Sequence, residues 1–250
     1  MAKVWINDYE VQALADLIRE YKKSNETFLP VEMESELRTL LNNTGGGGNE
    51  LPNWYDYFTN ISFAGATFPA GTDVVIDLPR WNGSIVSFNG AKGMRSIKIK
   101  TPFLEGAMTA ANYFAYTNTY TGEDVLETID LSETRTIFTS IQNFVPWRKS
   151  LVSIIGEIEL SNVTSTSNAF SGCYELKDIR FVKNCINRGV SFSYSSKLSP
   201  ESVQSIIDGL VDLTGKDALT ITFHSDVLVT TEQREQALAK NWNIAGGKTE

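Results

Sequence analysis

The sequence predicts an α+β fold in three parts: a short N-terminal helical module, a glycine linker, and a larger domain of short stacked strands with C-terminal capping helices. Apolar residues near the N-terminus recur at helical spacing, four consecutive glycines follow them, and a short apolar pattern then repeats along the remaining chain. A glycine run behaves as a flexible coil, so it marks a domain boundary. The predicted bounds are 1–43 for the helical module, 44–50 for the linker and 51–250 for the strand domain.

The helical module comprises two amphipathic stretches. Residues 8–23 place one apolar stripe at helical spacing, and a second stripe follows Pro30, a residue suited to a first helical turn. Two helices of this size bury little apolar surface alone, so their apolar faces need another protein or further copies of themselves. We therefore expect this module to anchor or oligomerise the chain. The residues expected to make these contacts are Val11, Leu14, Ile18, Met33, Leu37 and Leu40.

The repeated pattern in the larger domain is an apolar triplet of the form L-x-x-I-x-F. In its clearest copy, Leu176 precedes Ile179 and Phe181, whose spacing places both on one face of a short strand. Leu126, Leu151 and Leu176 begin successive copies at a spacing of 25 residues, within the range of leucine-rich repeats. One such unit cannot bury enough apolar surface to fold alone, so we expect the copies to stack strand beside strand. Further copies begin at Met94 and, in partial form, at Leu219.

The segment AFSGCYELKDIRF, residues 169–181, resembles the BspA-like class of leucine-rich repeats. The resemblance implies that Phe170, Cys173, Leu176 and Ile179 face the interior of the domain. Together with the uneven spacing of the copies, which is 43 residues from Leu176 to Leu219, it implies an irregular BspA-like leucine-rich-repeat solenoid with insertions between its short strands.

Caps are predicted at both ends of the repeats, because an uncapped stack of strands exposes unpaired backbone groups. Residues 51–90 form the predicted N-terminal cap, 91–190 the repeats and 191–250 the C-terminal cap, with two strands at 74–79 and 84–88 in the first cap. This cap is rich in aromatic residues, and Phe63 and Phe68 are expected to start the sheet and shield its first edge. Alternatively, Trp54, Tyr55 and Tyr57 form an exposed platform for sugar rings or a neighbouring subunit.

The C-terminal cap has clear helix signals. Ser199 is a predicted N-cap with proline after it, and this helix is expected to end near Gly215. Thr230 with Gln233 three residues later predicts a capping box for a second helix, which runs to Lys240. Strands are predicted at 188–196, 219–223 and 241–245.

Aromatic residues among small polar ones mark the candidate binding surfaces. The predicted insertion 101–124 has this composition, which is typical of binding loops and also of a loop packed on its own domain. The segment FVPWRK, 144–149, is suited to contacting a ligand or another chain, or to covering the face of the domain. The candidate ligand-contacting or partner-contacting residues are Tyr113, Tyr116, Tyr120, Trp147 and Arg148.

Composition argues against several classes of partner. The formal net charge is −8, so a nucleic-acid partner is not expected, because phosphate contacts need a basic face. No apolar run approaches the roughly 18 residues of a membrane span, and the N-terminus lacks the apolar core of a signal peptide. We therefore expect no membrane insertion and assembly in the cytoplasm. Cys173 and Cys185 are too few for a disulfide framework, and a buried free thiol is expected at Cys173.

No catalytic constellation can be assembled from the sequence. His224 is the only histidine, no G-x-S-x-G motif is present, and the glycine run does not lie between a strand and a helix. A pair of catalytic carboxylates cannot be singled out among 30 acidic residues. The expectation is a protein that is not an enzyme and has neither a cofactor nor a metal site.

Two further segments resemble proteins of bacteriophage and prophage tails. Residues 13–41, ALADLIREYKKSNETFLPVEMESELRTLL, resemble a segment common at the start of tail proteins, where a variable distal part, often with BspA-like repeats, follows it. Residues 196–227 together with 230–247 resemble a C-terminal unit of many phage tail and BspA-like proteins.

The pairing of these segments implies a non-enzymatic structural protein of a tail tip, baseplate or tail fibre. Its location is the virion, after assembly in the bacterial host cytoplasm, and its partners are other tail or baseplate proteins. The resemblance also implies a homo-oligomer, with a trimer favoured, and display of the repeats toward a host cell-surface glycan or protein. Two alternatives stay open: a bacterial cell-surface BspA-like adhesin, which needs an export signal or wall anchor, and a glycan-acting enzyme.

Overall fold

A computed structural model describes residues 61–63, 65–77, 86–107, 114, 116 and 124–249. The described residues form both helices and strands, which confirms the α+β prediction. The predictions for the helical module, the linker and the first aromatic residues of the N-terminal cap lie outside the described residues. The named residues outside them are Val11, Leu14, Ile18, Met33, Leu37, Leu40, Trp54, Tyr55, Tyr57, Tyr113 and Tyr120.

Ten strands and two helices occur in the described part of the chain, and every strand pairing is parallel. Sheets of two strands (β1, β3), five strands (β2, β4, β5, β6, β7) and three strands (β8, β9, β10) are formed. The elements are β1 Ile61–Ser62, β2 Thr67–Asp77, β3 Val86–Ser87, β4 Lys92–Ala107, β5 Thr128–Ser140, β6 Ser153–Ile158, β7 Asp178–Phe181, β8 Ser191–Phe192, α1 Pro200–Gly209, β9 Leu219–Phe223, α2 Thr231–Ala239 and β10 Trp242–Ala245.

The five-stranded sheet runs in chain order, β2-β4-β5-β6-β7, so each pass of the chain lies beside the previous one. We call one such pass a coil. Val74, Ile97, Ile129 and Ile154 are aligned across four strands, and all four are buried. Because side chains alternate along a strand, this register gives the sheet one apolar face and one solvent face. The predicted strands of four apolar triplets thus pair as the sequence indicates, and their leading residues are buried: Met94, Leu126, Leu151 and Leu176. The strand of the partial copy at Leu219 does not join this sheet and pairs instead with β8 and β10.

The strands β4 and β5 are longer than predicted. The sequence indicates an insertion that starts at Thr101, whereas β4 continues to Ala107 and pairs with β5 throughout. Pro102 favours a strand that ends before it, because proline cannot donate a backbone hydrogen bond to a neighbouring strand. The register shifts between Thr101 and Phe103, and this bulge accommodates the proline without ending the strand.

A row of seven phenylalanines runs through the core. Their spacing is 22 to 31 residues along the chain, and neighbouring ring centroids lie 4.8 to 6.3 Å apart. Each coil contributes one phenylalanine ring, which packs against the ring of the next coil. The row therefore joins the coils at a second place, apart from the five-stranded sheet. This Phe row comprises Phe63, Phe88, Phe114, Phe144, Phe170, Phe192 and Phe223, all of which are buried.

The connecting segments also pair with each other. The backbone N–H of Val145 donates to the carbonyl of Ala169 at 2.9 Å, and that of Trp147 donates to Ser171 at 2.7 Å. These bonds satisfy backbone groups that a buried connection otherwise leaves unpaired. The core residues expected from the clearest repeat are confirmed as fully buried: Phe170, Cys173, Leu176 and Ile179.

Helix α1 closes the β7 edge of the five-stranded sheet. Ser202 Oγ accepts the N–H of Ile179 at 3.0 Å and donates to the carbonyl of Lys177, and Ser205 Oγ accepts the N–H of Phe181 at 2.9 Å. Two serine hydroxyls thus take the place of a further strand, which removes an exposed edge from the sheet.

We expect the double variant Ser202→Ala/Ser205→Ala to unfold more easily by about 2–4 kcal/mol, because it leaves two buried N–H groups without acceptors. Chemical denaturation measures the change, and amide exchange at Ile179 and Phe181 should accelerate. Ser196→Ala, a serine just before the helix, serves as the matched control and should leave both measurements unchanged. If the two amides in the double variant exchanged as slowly as in the unaltered protein, the edge-closing role would be contradicted.

Helix α1 begins where the sequence predicts but ends earlier than predicted. Ser199 Oγ accepts the N–H of Ser202 at 3.2 Å, which confirms the N-cap, with Pro200 at the first turn. The helix ends at Gly209 instead of near Gly215, because Leu210 is extended and forms a parallel bridge with the preceding coil. The sequence stripe does not show this bridge, since its partner is distant in the chain.

The remaining predicted elements of the C-terminal cap are present. Thr230 and Gln233 form the capping box of α2, and β10 is an edge strand beside β9. The ammonium of Lys240, which follows α2, donates to the carbonyls of Ile207 and Leu210 at the end of α1. A cation at a helix C-terminus satisfies carbonyls that lack partners within the helix, so Lys240 ties the two helices together. The strand predicted at 188–196 is reduced to β8.

Candidate binding surface

Three aromatic side chains meet at the surface on connections between strands. The rings of Trp147 and Tyr194 lie 6.3 Å apart between centroids, and those of Tyr174 and Tyr194 lie 5.9 Å apart at 77°. Tyr174 and Tyr194 are each 41% exposed, whereas Trp147 is half-buried. We call these three residues the aromatic cluster. They come from successive coils, so the stacking of the coils, not local sequence, brings them together.

Gly172 makes room for the indole of Trp147. A Cβ atom at Gly172 would lie 2.6 Å from Cε3 of Trp147, and the glycine has a φ of +73°, a conformation that other residues rarely adopt. The indole therefore lies against the Gly172 backbone and reaches Tyr194 on the coil beyond.

Trp147 itself has an uncommon backbone conformation. Its φ is +64°, which is a steric outlier for a bulky side chain and costs on the order of 1–3 kcal/mol. The hydrogen bond from its N–H to the carbonyl of Ser171 and the contact with Gly172 hold it there. A strained residue held by its surroundings and carrying a partly exposed indole is a feature of functional surfaces.

Polar side chains accompany the tyrosines. The ammonium of Lys197 donates to the carboxylate of Glu175, and both side chains are largely exposed. Glu175 follows Tyr174 directly in the chain, and Lys197 follows Tyr194 by three residues. A charged donor and a charged acceptor thus lie close in the chain to the two tyrosines, and ligand-orienting sites combine such groups with apolar surface.

Arg148, the neighbour of Trp147, points into the interior and is 0% exposed. Its guanidinium donates to the carbonyls of Phe88, at 2.9 Å, Ala91, at 3.2 Å, and Phe114, and to the Asp124 carboxylate at 2.9 Å. Burial lowers the pKa of Arg148, and the Asp124 charge opposes that effect. The guanidinium fork thus fastens three successive coils together, a task that its fixed planar geometry suits.

The buried position of Arg148 corrects its predicted role as a ligand contact. Tyr116 is corrected in the same way, because it is buried and its ring lies 5.2 Å from the Arg148 guanidinium carbon. Of the five predicted contact residues, Trp147 has partial exposure, and Tyr113 and Tyr120 lie outside the described residues. Tyr174 and Tyr194 are members of the cluster that the sequence does not single out. Tyr174 precedes the predicted strand of its triplet, whereas Tyr194 lies within the strand predicted at 188–196 and occupies a turn after β8 in the structure.

The two thiols are held in their protonated form. Burial raises the pKa of Cys173 to about 12 and that of Cys185 to about 11. Cys173 Sγ also donates to the carbonyl of Val145 at 3.1 Å. Both cysteines are free and buried, which confirms the free buried thiol expected at Cys173.

We expect the native protein to resist thiol labelling at pH 8 and both thiols to react after unfolding, because only the thiolate is nucleophilic. The folded pKa values lie above the unfolded value of about 8.5. Stability is therefore unaffected by these groups below that pH and falls as pH rises through 9 and above, where the unfolded chain ionises first. Labelling with a chromogenic disulfide, with and without denaturant, measures this. Cys185→Ser assigns the two sites, and rapid labelling of native protein would contradict the buried positions.

The solvent face of the five-stranded sheet is a second surface with a different character. Its charges pair between neighbouring strands, Arg95 with Asp73 and Lys98 with Asp130, the latter at 3.3 Å. Such exposed pairs contribute little to stability and already satisfy each other. The charges cited on this face are therefore already engaged with each other.

Within the described ranges, no group of three or more His, Cys, Asp or Glu side chains is placed to hold a metal ion. No helix in the described part of the chain is long and apolar enough to cross a membrane. The fold and the surface thus define an α+β protein of stacked parallel strands that carries a small exposed aromatic cluster. Comparison of the chain with models of known protein families, with curated proteins and with solved structures finds no match.

Proposed function

We propose that this protein is a non-enzymatic structural component of a phage tail tip, baseplate or tail fibre that displays a BspA-like leucine-rich-repeat domain toward the host surface. The observation that carries the proposal is the stack of parallel strands, in which the coils of β4, β5, β6 and β7 each begin with a buried leucine or methionine. Such a stack is better suited to binding a ligand on its surface than to enclosing a substrate in a cleft.

Support for the repeat class comes from features shared between coils. The leading apolar residue, the phenylalanine of the Phe row and the strand recur in the coils of β4 to β7, and the strands of these coils pair. These are the features that a repeat unit needs in order to bury its apolar face against a neighbour. The lengthening of β4 and β5 and the unequal intervals fit an irregular array with insertions.

Support for the phage role comes from sequence resemblance at residues 13–41, 196–227 and 230–247. On this proposal, the helical module anchors the chain to other tail or baseplate proteins and forms a trimer with two further copies. The repeat domain extends outward through the glycine linker. A trimer presents three weak sites together, and linked sites bind more tightly than a single one without any new contact.

Electron microscopy of particles labelled with an antibody against residues 124–249 tests the proposal. Label at the tail end of a particle is the expected result, and light scattering of the purified full chain should give the mass of a trimer. Label on the envelope of the producing bacterium would favour an adhesin instead. A monomeric chain that contacts no other particle protein would remove the anchoring role.

A further inference from the structure

We propose that the aromatic cluster of Trp147, Tyr174 and Tyr194 binds a pyranose ring of a neutral glycan. The inference rests on the proposed display function and adds the location and chemical class of the ligand. It follows from four features of the cluster: its ring geometry, its size, its charge surroundings and its rigidity.

The ring geometry leaves aromatic surface open. Tyr174 and Tyr194 meet edge to face at 77°, so one ring of the pair has neither face covered by the other. The face of an aromatic ring carries partial negative charge, and one face of a pyranose presents C–H groups with partial positive charge. Stacking of the two buries apolar area and leaves the sugar hydroxyls at the rim, where water and polar side chains satisfy them.

The size of the cluster suits a sugar unit better than a protein. A stable protein interface buries about 800 Å² on each partner, and three half-exposed rings supply a small part of that area. The other large exposed apolar side chains in the described part of the chain do not extend the cluster, because they lie on β2, before or within β6, and on α2. These side chains are Val75, Val152, Ile155 and Leu238.

The charge surroundings favour a neutral ligand. The chain has a formal net charge of −8, which repels an anionic polysaccharide at long range. Lys197, three residues after Tyr194 in the chain, already donates to Glu175, so its ammonium is not an unpaired charge for an anion to bind.

The cluster is held rigidly before a ligand arrives. Gly172 fixes the place of the Trp147 indole, and the backbone bond from Trp147 to Ser171 ties it to the next coil. Tyrosine and tryptophan have few rotatable bonds, so ordering them costs little on binding. A preformed surface keeps more of the contact free energy as affinity.

Saturation-transfer NMR on the full chain tests the inference, with methyl glycosides of glucose, galactose, mannose and N-acetylglucosamine as probes at millimolar concentration. We expect transfer to the ring C–H protons of at least one glycoside. Tyr174→Ala and Tyr194→Ala should each weaken binding by about tenfold, because each removes a stacking ring. Tyr174→Phe and Tyr194→Phe keep the ring and should retain most of the signal. Ile155→Ala, an exposed apolar residue on the sheet, is the matched control and should bind as the unchanged chain does.

A second measurement does not depend on the stability of the variants. The indole N–H resonance of Trp147, assigned from Trp147→Phe, should shift as the glycoside is added to the unaltered protein. Absence of transfer with every glycoside, an unmoved indole resonance, or equal binding by the Tyr→Ala variants would overturn the inference. Capture of a host surface protein through the same tyrosines would also overturn it in favour of a protein ligand. These outcomes do not depend on the position of the antibody label on the particle. That position tests the proposed function separately.

Discussion

Arg148→Ala is expected to destabilise the protein by about 3–5 kcal/mol, because it leaves the buried Asp124 carboxylate without its counter-charge. The same substitution removes donors from three backbone carbonyls, those of Phe88 and Ala91 on one coil and that of Phe114 on the next. Whole-domain stabilities are about 5–15 kcal/mol, so this loss is a large fraction of the total. Urea denaturation followed by circular dichroism measures it.

A double-mutant cycle separates the ion pair from the rest of the Arg148 contacts. Asp124→Asn in the Arg148→Ala background should cost much less than Asp124→Asn alone, because the partner charge is already absent. Arg148→Lys should recover only part of the loss, since an ammonium lacks the planar fork that reaches several carbonyls. Lys149→Ala, the exposed neighbour, is the control and should stay within about 0.5 kcal/mol of the unchanged protein. An Arg148→Ala protein as stable as that control would show that the coils are joined by other contacts.

Phe170→Ala should be comparably severe, at about 3–5 kcal/mol, because it leaves a cavity in the middle of the Phe row. Its ring lies 4.8 Å from that of Phe192 and 6.3 Å from that of Phe144. In a stack of coils, each coil is stabilised mainly by its two neighbours, so removal of one ring weakens both interfaces. Amide exchange should therefore accelerate first in the connections on either side of Phe170, and denaturation gives the total loss.

Tyr174→Ala is the matched control for Phe170→Ala. It removes an aromatic ring only four residues away, from a side chain that is 41% exposed, and should have little effect on stability. Phe170→Leu should cost less than Phe170→Ala, since a smaller cavity remains. Equal stability of the Phe170→Ala and Tyr174→Ala proteins would contradict a continuous core row.

Trp147 and Arg148 have opposite environments that the sequence does not distinguish. The two residues are adjacent and the sequence predicts the same role for both, yet the indole is partly exposed and the guanidinium is buried. Their directions depend on the positive φ of Trp147 and on acceptors that lie 24 to 60 residues earlier in the chain. Neither is a local property of the sequence FVPWRK. Tyr174 and Tyr194 were missed for the same reason, since they become neighbours only when the coils stack.

The sequence alone determined the apolar triplets, the strands that they form and the helix caps at Ser199 and Thr230. These depend on side-chain alternation and on hydrogen bonds within a few residues, so the information lies in adjacent positions. Only the tertiary structure decided the extension of β4, the end of α1, the burial of Arg148 and the assembly of the aromatic cluster. Each of these depends on contact with another coil. Because insertions of unequal length separate the coils, the sequence pattern alone does not show which residues of neighbouring coils lie side by side.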